Sequence, residues 1–199
     1  VLDGLPAEPD CDQAQAVINR FKAEKSDFIV AVGGGSVMDI AKLASVLATD
    51  AYTVRDLLDN PGLAGKCVPT LMIPTTAGTG SEATPNSIVA VPEKELKVGI
   101  VNDAMIADYV ILDTPPCGLL GDGAALAGLA DASLYVVRSG TAQVSHILDS
   151  LQFLAGSGTP LMGCVLNGAS GGGGRYGYGY GYGYGGDHYG KYHAYRQEK

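Results

Sequence analysis

A glycine turn and a hydroxyl-rich loop carry the residue types of this chain best suited to hold a polar ligand. The turn, Gly33-Gly34-Gly35-Ser36, follows a short β-branched run and opens a helical pattern. In that arrangement bare backbone N–H groups at a helix N-terminus can face a phosphate, and glycine lets the phosphate come close. Neither G-x-x-G nor G-K-[ST] follows, so a plain tight turn stands as the alternative. The loop is P-T-T-A-G-T-G-S-E at 74–82, built to hydrogen-bond a polar ligand or else merely to turn. Asp39, one turn into the helix, either stabilises the helix dipole or faces the ligand.

A third feature is Y-V-I-L-D-T-P-P-C at 109–117. An apolar run that ends in Asp113 and is stopped by Pro115 and Pro116 predicts a buried parallel strand delivering a carboxylate to the edge of a sheet. This is the form of a Walker B strand, whose acidic residue coordinates Mg²⁺ or its water beside a nucleotide phosphate. A strand-ending Asp that caps the following turn is the alternative. His146 falls in a predicted helix, and His188 and His193 fall in a glycine-rich tail, so all three read as surface residues rather than metal ligands. Cys11, Cys67, Cys117 and Cys164 are widely spaced with no C-x-x-C pair, which reads as free buried thiols in a reducing cytoplasm.

Alternating strands and helices must position these residues. Strands are predicted at 28–32, 68–73, 109–113, 133–137 and 160–166, and helices over 12–25, from 36, over 121–131 and over 141–155. Residues 87–91 and 96–101 read as a β-hairpin, and 50–66 as a polar, turn-rich connection broken at Asn60-Pro61-Gly62. The fold class is α/β: a single open, mostly parallel sheet with flanking helices and a hairpin. Residues 171–186 form a glycine run and a G-Y repeat, and glycine at every second position predicts a disordered, accessible tail. A sticky low-complexity linker is the other reading of that tail.

At 199 residues the chain has room for one α/β domain and a tail. No apolar stretch approaches the roughly 20 residues that cross a bilayer, so no membrane span and a cytoplasmic location are expected. The net charge of −8 is unevenly placed, with 9 Lys/Arg against 19 Asp/Glu over 1–174 and 4 against 2 beyond. A body at −10 repels nucleic acid.

G-G-G-S-V-M-D-I-A-K at 33–42, P-T-T-A-G-T-G-S-E at 74–82 and K-V-G-I at 97–100 together resemble the iron-dependent alcohol dehydrogenase family. The resemblance implies a Rossmann-like N-terminal domain that binds NAD or NADP. It implies that Gly34, Gly35 and Ser36 cradle the pyrophosphate, with Asp39, Thr75, Thr76, Thr79, Ser81 and Lys97 around the ribose and nicotinamide. The family's iron or zinc ligands begin with a G-x-D-A-x-x-H pattern that this chain lacks, so neither metal nor hydride transfer is expected.

From 109 to 168, D-T-P-P-C-G-L-L, A-L-A-G-L-A-D-A-S-L-Y-V-V-R and P-L-M-G-C-V-L-N-G resemble the C-terminal half of bacterial capsule and exopolysaccharide tyrosine kinases, relatives of the MinD and ParA ATPases. That resemblance implies Asp113 as a Walker B carboxylate with ATP and Mg²⁺. It also implies autophosphorylation in trans at Tyr176, Tyr178, Tyr180, Tyr182, Tyr184, Tyr189, Tyr192 and Tyr195, by a homo-oligomer or a complete kinase. The Walker A loop is missing. The chain thus divides into 1–113, 114–168 and 169–199, joined as a chimera. The leading expectation is a nucleotide-binding protein with a phosphorylatable tail and no complete catalytic site. An NAD(P)- and metal-dependent alcohol dehydrogenase and a non-functional chimera are the alternatives.

Overall fold

Asp10 starts the first helix, α1 (Cys11–Ala23). Its carboxylate accepts from the Gln13 N–H at 2.8 Å while the Gln13 side chain accepts from the Asp10 N–H at 3.1 Å, a reciprocal cap. The helix buries Cys11, Ala14, Val17, Ile18 and Phe21, the face set by the three-and-four spacing of its apolar residues. The computed structural model describes residues 1–118 and 121–169. It divides into two compact units, Val1–Leu126 and Ala127–Lys199.

In the first unit three parallel strands, β1 (Ile29–Gly33), β2 (Thr70–Pro74) and β5 (Tyr109–Val110), lie in the order β1-β2-β5. The helix α2 (Gly35–Val46) covers one face, where Ala31 and Met72 pack against Met38 and Ala41. The opposite face is open: Val30 and Val32 are 57% and 58% exposed, and Tyr109 and Ile111 are exposed beside them. A hairpin of β3 (Asn86–Val91) and β4 (Leu96–Val101) pairs antiparallel as expected and buries Val89, Val91 and Ile100 with α1 and α2.

Two expectations change here. The polar stretch 50–66 holds a helix, α3 (Val54–Asp59), which buries Val54 and Leu57. Its signal is Thr53-x-x-Asp56: the Asp56 carboxylate accepts from the Thr53 N–H at 2.8 Å, and Thr53 Oγ1 accepts from the Asp56 N–H at 3.3 Å. The run to Asp113 is not a buried strand. Pairing reaches only Val110, with one further bond from the Ile111 N–H to the Met72 carbonyl, and residues 109–113 are exposed because no helix among the described residues covers their outer side. An apolar run reports what a strand can bury, and burial needs a second layer.

What places β5 is Asp108. Its Oδ2 accepts from the Thr70 N–H at 2.8 Å and from Thr70 Oγ1 at 3.1 Å, and pairs with Lys66 Nζ at 3.2 Å. The Asp108 N–H returns a bond to Thr70 Oγ1 at 3.3 Å.

The second unit contains β6 (Ser133–Arg138), α5 (Val144–Gly156) and β7 (Leu161–Asn167), with β6 and β7 parallel. The helix expected over 121–131 is shorter, α4 (Asp122–Ala127). The α/β class and the parallel strands stand, but the expected single sheet is two parallel sheets, because β6 and β7 pair with each other. All four cysteines are free; Cys11 is buried, whereas Cys67 and Cys164 are exposed, contrary to the expectation of buried thiols. No helix among the described residues is long and apolar enough to cross a membrane. The tyrosines from Tyr176 to Tyr195 lie outside the described residues.

Partial burial pushes the Asp108 carboxyl up, but the Thr70 N–H and the Lys66 ammonium more than offset it and hold it below the ordinary aspartate range. A depressed folded pKa contributes stability above the unfolded value, and that stability is lost as pH falls through the folded one. Asp108→Asn is therefore expected to lower the urea midpoint at about pH 7, with the gap to the parent protein narrowing as pH falls below the ordinary aspartate range, measured by circular dichroism.

Candidate nucleotide-binding site

The site is assembled where β1 ends. Gly33 closes the strand, Gly34 is the N-cap of α2 in extended conformation, and no side chain caps that helix. The Val37 and Met38 N–H groups turn back to the Gly34 carbonyl at 3.0 and 3.1 Å, leaving the turn between them and the strand as bare backbone. Helix starts of this kind suit an anion, since their N–H groups carry partial positive charge.

The loop after β2 lies against this turn. The Thr75 N–H donates to the Gly33 carbonyl at 2.9 Å. A Cβ on Gly34 would stand 3.3 Å from Thr76 Oγ1, and one on Gly35 would stand 3.2 Å from Ser81 Oγ and 3.4 Å from Thr79 Cγ2. The glycines are thus needed for close approach, not for unusual torsions. Gly80, by contrast, takes a left-handed φ of 64° as the loop turns so that the Ala83 N–H reaches its carbonyl at 3.0 Å. Gly34 and Gly35 are thus brought against a loop far off in sequence, where Thr75 is tied by its N–H, Thr76 and Ser81 turn their hydroxyls to the glycines and Thr79 turns its methyl.

The remaining residues singled out by sequence behave differently. Ser36 Oγ accepts from the Glu8 N–H at 3.1 Å, and Lys97, half exposed on β4, pairs with Glu8 Oε1 at 2.7 Å. Glu8 therefore touches both residues, a connection that a loop without periodicity does not reveal. Asp39 is turned inward: one carboxylate oxygen lies 3.1 Å from Lys42 Nζ, and the other accepts from the Ile88 N–H at 3.2 Å. Both oxygens are thus engaged within the protein. Lys42 itself is fully buried. Asp113 is exposed three residues past the end of β5.

The family described as iron-containing alcohol dehydrogenase matches residues 1–114. The chain belongs to that family. Sulfoacetaldehyde reductase of Bilophila wadsworthia is 42% identical over 111 residues, 53% of this chain and 27% of that protein. Long-chain-alcohol dehydrogenase 1 of Geobacillus thermodenitrificans is 38% identical over 116 residues, 57% of this chain and 29% of that protein. The crystal structure of an iron-containing alcohol dehydrogenase from Thermotoga maritima superposes with a TM-score of 0.51 at 38% identity, covering 56% of this chain and 30% of that one. The chain spans about three-tenths of the length of these iron-type dehydrogenases. The family match ends at residue 114, and the tyrosine kinase resemblance of 109–168 gains no support from it.

Iron gives the family its name, yet among the described residues no three His, Cys, Asp or Glu side chains converge to hold a metal ion. His146 is exposed on α5, and His188 and His193 lie outside the described residues. The described residues therefore do not fit a metal, and Asp113 belongs to no such group among them.

Gly33 is the least replaceable position of the turn. A Cβ there would lie 2.6 Å from Val37 Cγ2 and 2.9 Å from Val37 Cβ, and a β-branched side chain in a helix has little rotamer freedom to yield. Gly33→Ala is expected to lose about 1–3 kcal/mol in equilibrium urea denaturation through this overlap.

Proposed function

We propose that residues 1–114 are the dinucleotide-binding part of an iron-type alcohol dehydrogenase, and that this chain binds NAD(H). The observation that carries the reading is the close approach of the Gly33–Ser36 turn to the Thr76 and Ser81 hydroxyls and the Thr79 methyl, with glycine wherever a side chain would separate them. An uncapped helix start offers N–H donors to a pyrophosphate, and the facing hydroxyls offer donors and acceptors to the same group or to a ribose. Family membership supports the same ligand. The similar methanol dehydrogenase of Bacillus methanolicus, 29% identical over 106 residues, is named NAD-dependent.

Gly34, Gly35 and Ser36 would hold the pyrophosphate, with Thr75, Thr76, Thr79 and Ser81 along the rest of the dinucleotide. Lys97 would join them once released from Glu8. Bound nicotinamide would supply a hydride acceptor. Alcohol oxidation in the wider family asks for a metal to polarise the alcohol oxygen, and the described residues bring no ligand set for one, so the proposed activity is binding.

Isothermal titration with NADH, NADPH and ATP tests this. NADH is expected to bind and Mg-ATP not to bind. Gly35→Ala is expected to weaken NADH by roughly tenfold, since the added methyl would stand in the cradle against Ser81 Oγ. Absence of any heat with NADH or NADPH, or tighter binding of ATP than of either, would reject the reading.

A further inference from the structure

The most unusual group in the first unit is the Lys42 ammonium, with no exposed surface at all. It sits two turns into α2, a position with no part in the glycine cradle. Its Nζ donates to the Ser81 carbonyl at 2.7 Å and to the Asn86 carbonyl, and it lies 3.4 Å from the Thr84 carbonyl. The Asp39 carboxylate stands 3.1 Å away on the same helix. Three N–H donors thus meet four acceptors, so the charge is fully satisfied. Burying an ammonium is expensive unless it is paired and hydrogen-bonded. The core around it would pack as well with an apolar residue, as it does at Met38 and Leu43 on the same helix.

We propose that Lys42 is a positioning residue for dinucleotide binding: it clamps the 75–86 loop to α2, so that Thr76, Thr79 and Ser81 are held against the Gly33–Ser36 turn. The three carbonyls it binds belong to Ser81, Thr84 and Asn86, which span the second half of the loop and the start of β3. The Thr75 N–H on the Gly33 carbonyl pins the other end. Between those two anchors the loop otherwise turns on Gly78 and Gly80, both at left-handed φ. Without the ammonium, the carbonyls of Ser81, Thr84 and Asn86 face an apolar interior and turn outward to find water. Asp39 serves the same end. Its carboxylate holds both Lys42 and the Ile88 N–H, and its carbonyl accepts from Ser87 Oγ at 3.0 Å, so the helix is tied to β3 on the far side of the clamp. The charged groups facing Lys42 are Asp39 on α2 and Glu82 on the loop; Glu82 Oε2 is buried with no hydrogen-bond partner among the described residues. Burial draws the Lys42 pKa below that of an ordinary lysine against the opposing pull of Asp39, so alkali releases the clamp earlier than it would discharge a surface lysine.

This inference rests on the nucleotide-binding reading, and its test separates the two. NADH affinity and hydrogen exchange of peptide 75–86 are measured for the parent protein and Lys42→Met, from neutral pH to about pH 11, past the ordinary lysine value. Lys42→Met is expected to bind NADH at least roughly tenfold more weakly at neutral pH, with faster exchange in 75–86 and unchanged exchange in α1 and α3. The parent's affinity is expected to fall with rising pH while that of the variant stays flat, a difference that a purely structural role would not produce. Parent-like affinity and exchange in Lys42→Met would overturn the proposal, as would a flat parent profile. If Lys42→Met does not fold, the parent's affinity and exchange across pH decide. If the parent binds no NADH, the nucleotide reading fails, and unchanged exchange of 75–86 in the variant would overturn the clamp as well.

Discussion

A helix without an exposed face must satisfy every polar group it carries from within the protein, and α2 is under that constraint. From Met38 to Val46 each of its residues is buried. Three of the nine are polar or charged, and each finds its partners inside the protein. Asp39 reaches the β3 backbone, Lys42 reaches the loop after β2, and Ser45 donates its hydroxyl to the Lys42 carbonyl at 2.7 Å. The Ser45 carbonyl in turn accepts from the Cys67 and Val68 N–H groups at 2.9 and 3.1 Å, leading the chain into β2. Sheet, hairpin and loop are therefore hung from one helix by the few polar atoms that could not be left unpaired. The apolar residues between them, Leu43, Ala44 and Val46, fill the core shared with α1 and α3.

This arrangement explains the geometry of the turn. Because α2 is tied to its neighbours from Met38 onward, its N-terminus is set in place, and the glycines ahead of it lie where an added Cβ would touch Thr76, Thr79 and Ser81. A site built from backbone and short hydroxyls has little adjustment of its own. Its shape is inherited from the elements behind it.

Much of this was legible in the residues. Period and turn chemistry locate α1, β1, α2 and the hairpin to within a few positions, and the P-T-T-A-G-T-G-S-E loop announces its hydroxyls. What was hidden depends on layers rather than on patterns. The role of Lys42 emerges only once the loop that buries it is in place, because its partners lie about 40 residues further along the chain. Asp39 admits two readings along the chain, and a third, the β3 backbone, emerges only across 49 residues. The α3 helix was obscured by polar composition although its cap was present at Thr53 and Asp56. At the other extreme, the Ile111-Leu112-Asp113 run carries the pattern of a central strand but stands in the open, because pattern says nothing about whether a covering layer is supplied.

The open side of the β1-β2-β5 sheet bears on how this sequence can drift. Along β1 the residues alternate between packed and uncovered, with Ala31 sealed against α2 while Val30 and Val32 on either side stand in solvent. An uncovered valine contributes little of the roughly 1.5–3 kcal/mol that full burial of an apolar side chain would yield. Tolerance to polar replacement should then follow a period of two along the strand, generous at positions 30 and 32 and strict at 31.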